Sequence, residues 1–287
     1  MVAAGLISDS ETGAALGEAN LNRVMSLNKA QRIKLRHELS NLLAADSDVD
    51  QSKLTLVAQN DATMLMPCHI GDYTDFYASV YHATNVGSMF RPNNPLLPNY
   101  KHIPIGYHGR ASSIVASGAA FRRPVGQKAP AEEGAGPTRS PSALLDYEFE
   151  VGFFVAEGNE LGSAISIDEV EDKIFGMVLL NDWSARDLQK WEYQPLGPFL
   201  AKSFVTTIAP WVVTMEALAP FRCAEFSRPD GDPKPLDYLT NERNQKSGGV
   251  NIQLEAFLTT SRMREQSSDP FPPVSYTHLT LPTIYSV

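Results

Sequence analysis

Two glutamates stand two residues apart in LDYEFEVGFF (145–154): Glu148 and Glu150. In an extended strand alternate side chains share a face. Tyr147, Phe149 and Val151 then point one way and the two carboxylates the other, roughly 6–7 Å apart. On a solvated sheet face such a pair needs no special chemistry. Here the flanks are apolar on both sides (Leu144, Leu145, Phe153, Phe154), which suggests a strand inside the domain. Two neighbouring buried acids repel, and one keeps its proton unless a cation lies between them. Hard divalent cations take carboxylate oxygens in such settings.

A second acid stands in KIFGMVLLNDWSARDLQKWEY (173–193), where an apolar strand runs to Asn181 and Asp182 closes it. A helix is expected from about Ser184. On it Arg186, Gln189 and Tyr193 fall at i, i+3 and i+7 and share one face. That face is either solvated or a set of hydrogen-bond donors suited to a carboxylate ligand. In PLGPFLAKSFVTTIAPWVV (195–213), Lys202 stands among small and apolar residues. It either snorkels at a strand edge or is buried, and a buried ammonium needs a partner such as a carboxylate cluster.

YTDFYASVYHATNVGSMFRP (73–92) gathers Asp75, Tyr77, His82 and Arg91 around small residues. Asp75 would add an oxygen ligand. The ordinary pKa of histidine, near 6.5, lets His82 take a proton from water at neutral pH, although a lone histidine is more often structural. Arg91 suits a carboxylate in a fork. Tyr77 and Tyr107 carry phenolic donors. Tyr107 lies in IGYHGRASS (105–113), where Gly106 and Gly109 permit close backbone approach.

Residues 28–45 predict an amphipathic helix capped by Asn28, with Ile33, Leu35, Leu39, Leu42 and Leu43 on its apolar side. Strands are expected at 53–59, 62–67, 102–108, 112–117, 144–156, 173–181, 210–215 and 251–259. Helices are expected at 166–175, capped by Ser166, and at 184–192, capped by Ser184. Segment 122–142 is a loop by composition. Many irregular strands with few helices predict a mainly β (α+β) catalytic domain. Its boundary falls near Met66–Pro67, giving an incomplete N-terminal domain with a linking helix (1–66), a catalytic domain (67–270) and a tail (271–287).

The whole chain has 287 residues, 43% of them hydrophobic and 20% charged, which is an ordinary globular composition. A formal charge of −9 argues against a nucleic-acid partner. No run of about 18 apolar residues predicts a membrane span, and the N-terminus does not read as a signal peptide. Cys68 and Cys223 form no disulfide framework, so a reducing, cytoplasmic setting is expected.

DYTDFYASVYHATNVGSMFRP, PIGYHGRASSIV, LDYEFEVGFFV and NDWSARDLQKWEYQPLGPFLAKSF together resemble the fumarylacetoacetate hydrolase family over residues 20–260. The resemblance implies a β-roll catalytic domain behind an SH3-like N-terminal barrel, of which this chain holds a remnant. It implies a cytosolic homodimer that cleaves 4-fumarylacetoacetate, a dioxo dicarboxylate, with water to fumarate and acetoacetate, the last step of tyrosine and phenylalanine breakdown. By resemblance Asp75, Glu148, Glu150 and Asp182 hold Ca2+ or Mg2+, with further magnesium contacts on Lys202 and Thr206. Substrate contacts fall on Tyr77, Arg91, Gln189 and Tyr193, with Tyr107 nearby. His82 is the implied base, and Arg186 and Lys202 stabilise developing charge. Acylpyruvate hydrolysis, oxaloacetate decarboxylation and a non-catalytic metal-binding fragment stand as alternatives. Chains of the family are longer at both ends. The stretch expected beyond Thr260 carries a threonine substrate contact and a glutamate that orients the histidine, and the tail 271–287 reads as foreign to the family, artefactual or disordered.

Overall fold

The computed structural model describes residues 5–280. Its helices are α1 (Ser10–Leu16), α2 (Asn22–Met25), α3 (Lys29–Leu43), α4 (Val80–Phe90), α5 (Val170–Lys173), α6 (Arg186–Glu192), α7 (Leu200–Ser203), α8 (Met215–Leu218), α9 (Glu242–Ser247) and α10 (Ser261–Glu265). Its strands are β1 (Thr74–Phe76), β2 (Gly106–His108), β3 (Ile114–Ala116), β4 (Val125–Lys128), β5 (Thr138–Pro141), β6 (Leu145–Asp146) and β7 (Phe149–Val155). They continue as β8 (Ile174–Asp182), β9 (Ser184–Ala185), β10 (Thr206–Ile208), β11 (Val213–Thr214), β12 (Arg222–Cys223), β13 (Gly249–Leu258) and β14 (Phe271–Thr280). The chain divides into two compact units. One holds residues through Thr74, His108–Leu161 and Asp172–Glu216; the other holds Asp75–Tyr107, Gly162–Glu171 and the chain from Ala217 on.

The first unit is built on β8. The run IFGMVLLND is apolar on both faces, so it forms the middle of a sheet rather than an edge. On one side β7 pairs with it antiparallel; on the other, β10 pairs with its C-terminal end and β11 with its N-terminal end. Beyond β10 lies β3, parallel to it. Val178, Leu180 and Ile208 share one buried face, covered by Met66, Ile70, Tyr73 and Ile114. Ala185, Leu188 and Ala201 pack α6 against α7, with Phe204 alongside. The approach of β4 is close: a Cβ at Gly126 would stand 2.9 Å from the side chains of both Leu188 and Leu200.

Helices α1 to α3 belong to the same unit and bury Ala15, Val24, Met25, Leu27 and Leu35 with Cys68 and Phe175. A reciprocal cap starts α3, in which Asn28 accepts from the Gln31 amide and Gln31 accepts from the Asn28 amide. Arg32 of this helix is buried. Its guanidinium donates to Leu27 O at 3.1 Å and Asp172 O at 3.3 Å and pairs with Glu216 at 3.4 Å.

In the second unit β1 pairs with β2, and β12, β13 and β14 form a sheet in that order. Ser79 caps α4 by accepting from the His82 amide at 3.3 Å. Arg222 on β12 donates to Ser247 O at 2.8 Å and pairs with Glu171 at 3.2 Å.

Several expectations about elements are corrected. Segments 53–59 and 62–67 form no strand; the short 3-10 turns at Gln51–Lys53 and Gln59–Asp61 reach only the two ends of the first. Leu56, Val57 and Leu65 are exposed there, so strand-forming residues alone did not make a strand without a pairing partner. The expected loop 122–142 contains the antiparallel pair β4–β5. Residues 80–90, which carried no helix expectation, form α4 because Ser79 supplies a start that its aromatic and branched residues do not advertise. Ser184 does not cap α6; it lies in β9 and donates to Asp182 O at 3.0 Å. The helix expected at 166–175 is confined to Val170–Lys173. On α3, Ile33 and Leu43 are exposed while Leu35 and Leu42 are buried. Of the tail, residues 271–280 form β14 and 281–287 lie outside the described residues.

Candidate active site

The register of three strands sets one row of functional groups. Phe149 faces Asn181 and Thr206 faces Asp182, so Glu148, Asp182 and Thr206 stand in line across the sheet, on one face. The Asp182 amide donates to Glu148 O at 3.1 Å and fixes the alignment. The Glu148 amide instead donates to the Asn181 side chain at 3.2 Å, which is where β7 parts from the segment before it.

Lys202 reaches this row from α7. Its ammonium pairs with Asp182 Oδ2 at 2.7 Å and with Glu148 Oε2. Thr206 donates its hydroxyl to Asp182 Oδ1 at 2.8 Å. From α6, Arg186 pairs through Nη2 with Glu148 Oε1 at 2.7 Å and through Nε with Asp146 at 2.9 Å, and donates through Nη1 to Gln189 Oε1 at 3.0 Å. Asp182 is 1% exposed and the Lys202 side chain 9%, so the pair is shielded from solvent. Every carboxylate oxygen of Glu148 and Asp182 therefore has a partner.

Burial dominates Asp182 and raises its carboxyl above the usual range, with the Glu148 charge adding to it, against the pull of Lys202 and Thr206. For Glu148 burial also pushes upward, but Lys202 and Arg186 together outweigh it and the carboxyl lies below the usual range. The difference follows from the number of cations: Glu148 faces two and Asp182 one. Burial would lower Lys202 and Arg186, yet the acids around them outweigh it and hold both above their ordinary values.

The helices are anchored away from the row. Asp187 accepts from Ser142 Oγ at 2.6 Å and the Ala143 amide at 2.8 Å and pairs with Lys128 at 2.9 Å, tying α6 to β4 and to the segment entering β6. Glu192 Oε1 accepts from the amides of Phe199 at 2.8 Å and Ala201 at 2.7 Å, capping the short helix that carries Lys202. Asp146, Asp187 and Glu192 were not singled out from the sequence. For Asp146 the signal was present, since residues 146, 148 and 150 are all acidic at alternate positions.

Of the groups expected to share a site, the first unit brings together Glu148, Asp182, Lys202, Thr206, Arg186 and Gln189. Glu150 stands opposite Leu180, one row along on the same face as Glu148. Tyr193 ends α6, and its amide donates to Gln189 O at 3.0 Å. Asp75, Tyr77, His82, Arg91 and Tyr107 belong to the second unit. There the rings of Tyr77 and His82 meet edge to face with centroids 5.5 Å apart, Tyr77 meets Tyr100 in the same way at 6.0 Å, and Arg91 donates to Pro95 O at 3.0 Å. Asp75 is central in β1, and Tyr107 in β2. Among the described residues, no group of three or more His, Cys, Asp and Glu side chains is arranged to hold a metal ion. Two of the four expected ligands do converge, and the point they share is occupied by the Lys202 ammonium.

An α+β chain whose central sheet closes two acids on a buried lysine, with an arginine alongside, defines a protein built around a polar centre. The model of the fumarylacetoacetate (FAA) hydrolase C-terminal family matches residues 72–264. The chain belongs to this family. Among curated proteins it is similar to the fumarylacetoacetase of Bos taurus, 53% identical over 229 residues, covering 78% of this chain and 54% of that protein. The fumarylacetoacetase of Dictyostelium discoideum is 46% identical over 271 residues, covering 92% of this chain and 62% of that protein. The fumarylacetoacetase of Homo sapiens is 51% identical over 231 residues, covering 78% and 54%. The chain thus spans a little over half the length of these relatives. Among solved structures, a fumarylacetoacetate hydrolase from psychrophilic Exiguobacterium antarcticum aligns over 74% of this chain and 61% of its own, with a TM-score of 0.40 and 18% identity. Among the described residues no helix is long and apolar enough to cross a membrane.

Proposed function

We propose that this chain carries the hydrolytic centre for 4-fumarylacetoacetate, cleaving its carbon–carbon bond with water to give fumarate and acetoacetate. The observation that carries the reading is the row Glu148–Asp182–Thr206 with Lys202 and Arg186 closing on it. Relatives that share about half of its residues are fumarylacetoacetases.

The donor set fits a hard divalent cation. Two carboxylates aim oxygens at one point that already holds a positive charge, and the Thr206 hydroxyl steadies Asp182 from its other oxygen. Glu148 and Asp182 would hold the ion, with Glu150 as a further oxygen ligand; Asp75 is assigned by resemblance alone, and Ca2+ and Mg2+ both suit oxygen donors. When bound, the ion supplies Lewis-acid polarisation of the substrate's dioxo group.

By the family resemblance His82 is assigned as the base that takes a proton from water, and the hydroxyl adds to the fumaroyl carbonyl carbon. The bond from that carbon to the acetoacetate methylene then breaks, its electron pair leaves with acetoacetate, and a proton completes the methyl group. The charge that develops on oxygen is met by Lys202 and Arg186. The resemblance alone assigns the substrate's carboxylates to Arg91, Gln189 and the phenols of Tyr77, Tyr107 and Tyr193. By the same resemblance we assign a homodimer and a cytoplasmic setting.

Turnover of fumarylacetoacetate, followed by fumarate release, tests the reading. Wild type is expected to consume it only with Ca2+ or Mg2+ present, and His82→Ala to lose at least a hundredfold in kcat. Full activity of His82→Ala would remove the assigned base. Faster turnover of acylpyruvates than of fumarylacetoacetate would move the assignment to that substrate class.

A further inference from the structure

The oxygens of Glu148 and Asp182 are divided between two kinds of partner. The outer oxygens, Glu148 Oε1 and Asp182 Oδ1, are pinned by Arg186 at 2.7 Å and by Thr206 at 2.8 Å. The inner oxygens, Glu148 Oε2 and Asp182 Oδ2, both face Lys202 Nζ. Withdrawing the ammonium would leave the carboxylates oriented and free only these two oxygens, side by side. With no cation between them the two buried acids would not both stay ionised, and one would keep its proton. An ammonium and a divalent cation cannot share the place, because like charges at such separations repel.

We propose that Lys202 is an internal counter-cation that stands where a divalent ion would bind and sets the affinity of the chain for such ions. This rests on the metal reading given above. Lys202 keeps Glu148 and Asp182 neutralised in the ion-free protein and must leave both before they ligate an ion. Its tether suits the exchange. α7 is one turn long and held at its start by Glu192, so the backbone stays while the four-carbon side chain swings. Once off the carboxylates, the ammonium has three donors available to an oxyanion of the substrate. Ion binding and the readiness of Lys202 are thus linked: the same group cannot neutralise the acids and serve the substrate at once.

Calorimetric titration of Ca2+ and of Mg2+ into wild type, Lys202→Met and Lys202→Arg tests this, with thermal melts of each protein with and without ion. Lys202→Met is expected to bind at least tenfold more tightly than wild type, to melt lower than wild type without ion and to gain more from it. Lys202→Arg, which keeps the charge, is expected to bind no more tightly than wild type. Should Lys202→Met be unfolded without ion, refolding on addition of Ca2+ or Mg2+ supports the exchange and failure to refold opposes it. Equal or weaker binding by Lys202→Met overturns the inference and leaves the metal reading in place; binding by none of the three overturns both. The expected order of affinities in a wild type that turns over no substrate would uphold the inference and remove the proposed reaction.

Discussion

Glu148, the residue before β7, and Asp182, the last of β8, stand opposite one another, joined by the Asp182 amide, and turn one oxygen each to the same ammonium. The chain between them includes the whole of β7 and all of β8 but its last residue, Asp182 itself. Their meeting is a property of strand register.

Arg186 bridges Asp146, Glu148 and Gln189 with three different nitrogens. A lysine there keeps the charge but not the planar fork. Arg186→Lys is expected to lower kcat/KM for fumarylacetoacetate by about a hundredfold and to cost about 1–3 kcal/mol in urea denaturation, the range for lost charge-assisted hydrogen bonds. Retention of both properties would show that only the charge matters.

Asp187 titrates well below the usual carboxylate range. Burial alone would raise it, but the Ser142 hydroxyl, the Ala143 amide and Lys128 together outweigh burial. A depressed folded pKa contributes stability that is fully present above the unfolded value, about 4, and is lost as pH falls toward the folded value. Wild type is expected to exceed Asp187→Asn by about 1.5–3 kcal/mol near pH 7. The gap should narrow steadily below about pH 4. Urea titrations at a series of pH values measure it; a gap that widened in acid would contradict the assignment.

Glu192 caps α7 through one oxygen that accepts two amides. Glu192→Ala is expected to cost about 1–2 kcal/mol, as lost helix caps do, and Glu192→Gln, which keeps an acceptor, less than half of that. Thermal melts of the two variants decide it, and equal losses would point to the charge rather than the cap.

Gly176 lies where β7, β8 and β11 meet, opposite Phe154 on one side and Thr214 on the other. A Cβ there would stand 2.6 Å from Val213 O, a backbone atom with little room to move. Gly176→Ala is expected to destabilise by about 1–3 kcal/mol. Denaturant midpoints measure this, and an unchanged midpoint would mean that β11 yields easily.

Much of the central sheet was legible because β8 and β7 are long apolar runs, and Asp182 stood out as the acid that ends one of them. Lys202 was legible as an ammonium in apolar surroundings, and its two partners are acids that the same reading had marked. Segment 53–59 misled because Leu54, Leu56 and Val57 suit a strand, while pairing depends on distant chain. The pair β4–β5 was hidden by the glycine- and proline-rich connection between its strands. Asp187 and Glu192 gave no signal, since a helix acid that anchors another segment looks the same in sequence as one that faces water.

The row across β7, β8 and β10 also serves as a test of correct assembly. Were β8 to pair one residue out of step, Asn181 or Trp183 would replace Asp182 beside Thr206, and Lys202 would be left facing a single acid. Mispaired chains would therefore carry an unbalanced interior charge, so electrostatics proofreads the alignment that hydrophobic residues on both faces of β8 could not enforce alone.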